Sequence, residues 1–583
     1  MASVATPLDA LSEPLEAGVA TWLLSAGGGN VDILEAFKSL VLREPRQLGV
    51  MCGRPGSPLT KLAQAHEYVD LLLFDPPAGK DGFLATNSLM AFNALLTRAY
   101  LSEFGQDVAG WTDTVKAVRP FLNEESDAVT RWRQSTEPLW SRSTTLVLHD
   151  ASSRPGAVDL ESKFTEAALG NLQLADYRNF AHGRHHWLAK RGDETGILAF
   201  VTDETRALAE RTLALVPPEV PLARIDLPGP PSAAAIGGLI AALRIAGWAG
   251  LTRGIDPGQP GVPIFGRKLY NLPLGRPATR RVANLRDADA AAIARKSGMH
   301  VAKLAAEGQL DHWHSALKRF EGRLRETGFA GVVLDYDGTV VDARRRYFTP
   351  RSEMVAELTR LVDSGARVAI ATGRGGSVRK DLQTVLPQRL WPQILVGYYN
   401  GAEIAPLDVM TAPDGAATVC EALVGLAAAL RAQPELGLVA DQTDRRHQIT
   451  LEPKAPLPEN RLWDLAQQVI IMTGAHGARV TRSSHSVDIV APGVSKRSVL
   501  DRLGKLTGET PYLCIGDRGR WPGNDYELLR EPFALSVDEV SLDPETCWNL
   551  AAPGQRGIEA TLEYLRRLAP VDGRLRFSRK AGE

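Results

Sequence analysis

Short apolar runs recur along the first 250 residues, separated by longer stretches in which apolar positions fall three and four apart. ATWLLS (20–25), LGVMC (48–52), YVDLLLF (68–74), TTLVL (144–148) and ILAFV (197–201) read as β-strands, and VDILEAFKSLVL (31–42) has the period of an amphipathic helix. Strands that alternate with helices predict parallel, doubly wound sheets, so the fold class is α/β. The pattern divides into two units, 1–130 and 131–275, the second closing in the Pro/Gly-rich tail RGIDPGQPGVPIFGRKLY. From 276 to 328 apolar residues recur at helical spacing among many charges (ADAAAIARKSGMHVAKLAAEG, HWHSALKRFEGRLRET), which predicts a helical connector. A further set of strands begins at 329. There is no short-period repeat and no low-complexity tract, and no segment is expected to reach the ~20 apolar residues that span a bilayer.

Composition narrows the classes. A chain of 583 residues is too long for one core, and 44% apolar with 23% charged residues is the balance of a globular protein. The formal net charge is -1 and no long basic run occurs, which argues against nucleic acid or an anionic membrane as the main partner. Cys52, Cys420, Cys514 and Cys547 lie far apart with no CxxC pair, so neither a disulfide framework nor a thiolate zinc site is expected, and a cytoplasmic location fits. The N-terminus MASVATPLDALSEPLEAG lacks a basic region followed by an apolar core and is not a secretory signal.

The most specific chemistry lies at 331–342, GVVLDYDGTVVD. An apolar strand ends in Asp335 and Asp337, and Gly338 allows a sharp turn. In a parallel sheet, ligands bind beyond the carboxyl ends of the strands. One carboxylate there can attack phosphorus, and a second, two residues on, projects the same way and can serve as general acid and base. RVAIATGR (367–374) is another apolar strand, ending in the hydroxyl of Thr372. VDIVAPGVSKRSVLDRL (487–503) places Lys496 near the start of a helix, where an ammonium and free backbone N–H groups meet an anion. PYLCIGDRGRWPGNDYELL (511–529) is a third strand, ending in Asp517. Carboxylates gathered at adjacent strand ends repel one another unless a cation sits among them, and hard oxygen ligands favour Mg²⁺.

Together, over about 329–575, these segments resemble the haloacid dehalogenase-like (HAD) phosphatase superfamily. The resemblance implies Asp335 as nucleophile, Asp337 as acid/base with its backbone carbonyl on the metal, Thr372 and Lys496 as phosphoryl-binding groups, and Asp517 as the carboxylate completing Mg²⁺ binding. It implies a core at 329–400 and 491–575. The stretch 401–490, with YNGAEI, RHQITLEP and HSVDIVAP, resembles the large α/β cap of Cof-type and sucrose-phosphatase-like members. Those relatives usually read GD-x-x-ND where this chain reads GDRGRWPGND, so no role is assigned to Asn524 or Asp525.

In the N-terminal half, WLLSAGGGNVDILEAF (22–37) sets Ser25, three glycines and Asn30 between a strand and a helix, where N–H groups can cradle a phosphate. No GxxxxGK[ST] occurs, so a Walker-type site is not supported. With KDGFLATNSLMAF (80–92), DLESKFTEA (159–167), FAHGRHHW (180–187) and DPGQPGVPIFGRK (256–268), this half resembles the sugar isomerase (SIS) domain pair, over about 20–272. Glu166 lies 16 residues before His182, as do the enolisation base and ring-opening histidine of those relatives, and Lys268 sits in a tail like the one that delivers their lysine. The glycine loop departs from the usual S-x-S-G-x-T, lacking two of three hydroxyls. It aligns with the second strand-loop-helix of such a unit, so the unit is expected to be trimmed or the chain to begin further upstream.

The expectation is therefore a Mg²⁺-dependent phosphomonoester hydrolase acting on a small phosphorylated sugar or sugar derivative. Substrate contacts are expected from Gly373, Arg374 and Asn400, and from Ser25, Asn30, Thr86 and Ser88 in the N-terminal half. That half either isomerises or deglycates a sugar phosphate or senses one for the other half, and a homodimer is expected to form through it.

Overall fold

The computed structural model describes residues 3–12, 19–77, 79, 81–273, 285–409, 419–458, 460–508 and 510–578. The expected boundary at 275/276 lies outside them. The architecture is α/β throughout. The chain opens with β1 (Ala20–Ser25), β2 (Gln47–Cys52) and β3 (Asp70–Leu73), parallel and in that order. Helices Val31–Arg43 and Pro58–Gln64 pack on one face, burying Phe37, Leu40 and Leu59 against Leu23 and Val50. On the other face Trp22, Leu24 and Leu72 are exposed, although parallel sheets are normally covered on both sides.

Four parallel strands follow, β4 (Thr144–His149), β5 (Asn171–Asp176), β6 (Thr195–Thr202) and β7 (Leu222–Leu227), in the order β5-β4-β6-β7. The packing does not change at residue 130. Val118, Phe121, Val129 and Trp132 share one apolar cluster with Leu198, Phe200, Ile225 and Ile240, so the helices Asp107–Leu122 and Asp127–Thr136 belong to the second sheet. The helix Pro231–Arg253 runs through this cluster. By length and composition it is long and apolar enough to cross a membrane, which corrects the expectation that no segment is. Here it is mostly buried, apolar nearly all round as a central core helix is.

The helices Asp287–Ser297, Val301–Ala306 and Leu310–Glu326 are not a spacer. Ile293, Leu304, Leu317 and Phe320 lie in one cluster with Val332, Leu334, Val368 and Ile515 of the C-terminal core. Amphipathic helices must bury their apolar stripe, and these bury it on the nearest sheet. Arg295 joins the two halves, pairing with Glu44 and donating to the carbonyls of Asn549, Ala551 and Ala552.

After the short β8 (Gly328–Phe329), the core strands β9 (Gly331–Asp335), β10 (Arg367–Ala371), β11 (Ile394–Tyr398) and β12 (Glu403–Pro406) follow. The chain then builds a separate antiparallel sheet from β13 (Ala440–Asp444), β14 (Gln448–Pro453), β15 (Arg479–Arg482) and β16 (Val487–Val490), ordered β13-β14-β16-β15. Its apolar cluster, from Leu423 to Ala491, is its own. β17 (Tyr512–Arg518) and β18 (Ala534–Glu539) complete the core sheet, ordered β12-β11-β10-β9-β17-β18 and parallel except at β12. β19 (Leu568–Val571) and β20 (Arg574–Phe577) pair antiparallel, and β20 pairs with β8. Ala371 lies beside Asp335, and Ile515 beside Leu334, so β9, β10 and β17 end together at one edge.

Candidate active site

That edge gathers the C-terminal residues singled out in the sequence. Asp335 closes β9, Thr372 follows β10, and Asp517 lies near the end of β17; all three are buried. Lys496, at the start of the helix Arg497–Thr507, is 1% exposed. Its Nζ donates to Asp335 Oδ1 and, at 2.7 Å, to Asp525 Oδ1. The Thr339 hydroxyl donates to Asp335 Oδ2 at 3.1 Å. Thr372 Oγ1 accepts from the Arg374 amide at 3.0 Å, which leaves its proton for another acceptor. Gly338 has φ +91°, and a Cβ there would lie 2.3 Å from Asp517 Oδ2; only glycine lets the turn after Asp337 pass so close to that carboxylate.

Asp525 is the site residue to which sequence reasoning gave no role. The extra residues of GDRGRWPGND form a loop that returns the chain beneath β17. There Asp525 Oδ2 accepts from the amides of Asp517 (3.0 Å) and Arg518 (3.1 Å). Asp335, Asp517 and Asp525 offer carboxylate oxygens that all lie within 4.8 Å of one another. Burial and the charge of Asp525 push the Asp335 carboxyl up to about 7, with Lys496 opposing. Burial likewise raises Asp517 well above the usual carboxylate range, with Arg518 opposing. Burial acts on Asp525 too, but Lys496 and the amide of Arg518 outweigh it and hold this carboxyl low. Lys496, though buried, is held protonated by Asp335 and Asp525. Three converging buried carboxylates against one ammonium suit a hard divalent cation, and Mg²⁺ fits this oxygen-only set. The Asp337 carboxylate is not among the three.

Asp337 instead accepts from Arg374 Nη1 at 3.3 Å. Burial raises its pKa, opposed by Arg374 and Lys496, a direction that suits a general acid. Over these groups opens a cavity of about 450 Å³, lined by Asp335, Asp337, Gly373 and Arg374 from the core sheet and by Thr443, Gln448, Thr450, His485 and Asp488 from the β13–β16 sheet. The two walls touch. Asn400 Nδ2 donates to Gln448 Oε1 at 2.9 Å and to Asp488 Oδ2 at 3.3 Å, and Gln448 Nε2 donates to the Gly373 carbonyl at 3.2 Å. Asp488, raised to about 6 by burial, also accepts from the Thr450 hydroxyl at 2.9 Å.

The N-terminal residues are not brought together in the same way. Glu166 ends the helix Arg154–Glu166, which runs back antiparallel to β4, so it lies at the amino edge of that sheet. β5 then carries the chain across, and His182 lies beyond the carboxyl edge. A six-residue strand spans on the order of 20 Å, so within one chain the two residues lie at opposite edges of the sheet. Lys268 is exposed on the short helix Ile264–Tyr270. Among the described residues no hydrogen bond or ion pair joins any two of the three: Glu166 accepts from Ser162, and His182 lies 3.3 Å from Arg178 Nη2.

The expected phosphate contacts are also engaged. The Thr86 amide (3.2 Å) and hydroxyl (3.1 Å) and the Ser88 amide (3.2 Å) and hydroxyl all donate to the Asp81 carboxylate. Burial raises Asp81, but those bonds outweigh it and hold the carboxyl low. A carboxylate of the chain itself thus takes the anion position at the start of the helix Asn87–Glu103. Asp150 does the same in the second unit, accepting from the Ser153 amide and the hydroxyls of Ser153, Thr202 and Thr205. Ser25 Oγ accepts from the Gly28 amide, and Asn30 Oδ1 caps the following helix through the Asp32 amide.

No model of a known protein family matches the chain, and no curated protein does. Among solved structures it is similar to tagatose-6-phosphate ketose/aldose isomerase from Escherichia coli, at 18% identity and a TM-score of 0.36 over 44% of this chain and 76% of that one. It is similar to glucosamine-6-phosphate deaminase from Thermotoga maritima, at 16% identity and a TM-score of 0.33 over 44% of this chain and 76% of that one. It is also similar to the sucrose-phosphatase from Synechocystis sp. PCC6803, solved in complex with sucrose and phosphate, at 18% identity and a TM-score of 0.27 over 35% of this chain and 81% of that one.

Proposed function

We propose that the C-terminal half is a Mg²⁺-dependent phosphomonoester hydrolase that works through an aspartyl-phosphate on a phosphorylated sugar or sugar derivative. The observation that carries this reading is Asp335 itself. It is a buried carboxylate at the meeting of three strand ends, bonded by a buried lysine and flanked by two further buried carboxylates. In this reading Asp335 attacks phosphorus, and Asp337 gives its proton to the leaving oxygen. Lys496 and the Thr372 hydroxyl bind phosphoryl oxygens, offsetting the charge that gathers there. Asp337, now ionised, takes a proton from the water that attacks the aspartyl-phosphate, which regenerates Asp335 and releases phosphate. Asp335 and Asp517 would hold Mg²⁺, with Asp525 fixing Asp517 through its amide, and the bound ion would supply positive charge at the phosphoryl group.

The cavity wall supports a polyhydroxyl leaving group, since Thr443, Gln448, Thr450 and Asp488 present hydroxyl, amide and carboxylate groups. Four unpaired cysteines support a reducing, cytoplasmic setting. A phosphate-release screen across phosphosugars and nucleotides tests the reading. Release is expected from sugar phosphates, stopped by chelator and restored by added Mg²⁺. Release that persists in chelator would remove the metal from the mechanism, and silence across the whole screen would overturn the hydrolase reading.

For the N-terminal half, a non-catalytic role is favoured by Asp81, whose carboxylate already takes the expected phosphate donors of Thr86 and Ser88. NMR of phosphosugars in D₂O is expected to show no deuterium entering beside the carbonyl carbon. Exchange that disappears in Glu166→Gln would restore the isomerase reading.

A further inference from the structure

The residues that interrupt GD-x-x-ND do more than return Asp525 to the site. β15 is an edge strand of the β13–β16 sheet, the cap over the cavity, and edge strands leave backbone groups unpaired. Here the interrupting loop takes them. The Arg482 amide donates to the Pro522 carbonyl at 2.8 Å, and the Asn524 amide donates to the Arg482 carbonyl at 3.0 Å. This is a parallel bridge between Arg482 and Gly523. A Cβ at Gly523 would lie 2.1 Å from the Arg518 carbonyl oxygen, so the turn requires glycine. Charges match across the seam. Cap Arg479 pairs with core Glu527 at 3.0 Å, and cap Arg482 with core Glu539 at 3.3 Å. Core Arg518, between Asp517 and the loop, pairs with Glu539 and donates to the cap's Ser484 hydroxyl at 2.8 Å.

In chain order the cap follows β12 of the core and gives way to the core again after β16. Two such junctions form a hinge about which a cap can swing. We propose that the Arg518–Asn524 loop is a further attachment, beside the Asn400–Gln448 and Gln448–Gly373 bonds, that holds the cap closed on the core.

Hydrogen exchange of the wild-type protein, read by mass spectrometry over peptides that contain Arg482 and Asn524, tests the attachment without any variant. Those amides are expected to exchange at least about 10²-fold more slowly than exposed loop amides, as slowly as those of β14 and β16. Exchange at loop rates would overturn the proposal. Glu539→Gln removes a charge that faces Arg482 and Arg518. It is expected to speed exchange at both amides by about 10-fold or more, with β9 and β10 unchanged.

Discussion

Asp335→Asn is expected to lower phosphate release by about 10³-fold or more while the protein stays folded and, in chelator, melts no lower than the wild type. The first half of that result follows from chemistry: the amide keeps the shape of the carboxylate and can still accept from Lys496, but it does not attack phosphorus. The second half follows from the electrostatics. Burial and Asp525 hold the Asp335 carboxyl up at about 7, against an ordinary value of 3.8. A carboxyl whose folded pKa lies above its unfolded one favours folding only in its protonated form. Its ionised form opposes folding, by an amount that grows as pH rises from about 3.8 to about 7 and is constant above. Removing that charge at neutral pH therefore relieves the folded state. Loss of activity with unchanged or higher stability is the pattern expected of a group placed for reaction at the expense of the fold. Phosphate release near the wild-type rate would end the aspartyl-phosphate mechanism. A markedly lower melting temperature would instead mean that Asp335 and Lys496 form a net stabilising pair.

The parts of this site that were legible in the sequence are those that a parallel sheet writes locally. β9, β10 and β17 are buried on both faces, so each reads as an apolar run, and the polar residue that ends the run marks the strand end where ligands bind. Asp335, Thr372 and Asp517 stand out for that reason, and Lys496 for its place at a helix start. Asp525 was not legible, because its position depends on how the intervening loop returns, and a longer loop conceals that in one dimension. Glu166 and His182 show what a spacing leaves open: a helix end and a whole strand lie between them, and within one chain the strand carries them to opposite edges. Thr86 and Ser88, expected to contact a phosphorylated substrate, donate here to Asp81, a neighbour in the chain. The apolar stripes of the helices at 287–326 were clear. What they pack against was not, because periodicity gives a face and not its partner.

Asp525→Asn provides the second large expected effect, and it separates this carboxylate from the asparagine beside it. Asp525 is fully buried and makes three bonds, one from Lys496 Nζ and two from the amides of Asp517 and Arg518. An asparagine can satisfy these donors with only one of its two terminal atoms, so one side of the group is left facing donors with a donor of its own. Lys496 also loses one of its two carboxylates in a buried setting. Breaking a buried pair by removing one partner costs about 3 kcal/mol or more, so the variant is expected to unfold at clearly lower denaturant concentration. Because the two amides belong to Asp517 and its neighbour, the orientation of Asp517 suffers as well. Loss of such a supporting group weakens metal binding by about 10–100-fold, so the Mg²⁺ concentration giving half-maximal phosphate release is expected to rise by that factor. Asn524→Ala is the control. The Asn524 side-chain oxygen has no hydrogen-bond partner, and its backbone amide, which bonds the Arg482 carbonyl, survives the substitution. Its Mg²⁺ dependence is expected to stay within about twofold of the wild type. A Mg²⁺ titration of phosphate release decides between them. If both variants keep the wild-type midpoint, Asp525 holds the fold but not the metal; if both shift alike, the loop as a whole, and not this carboxylate, sets the site.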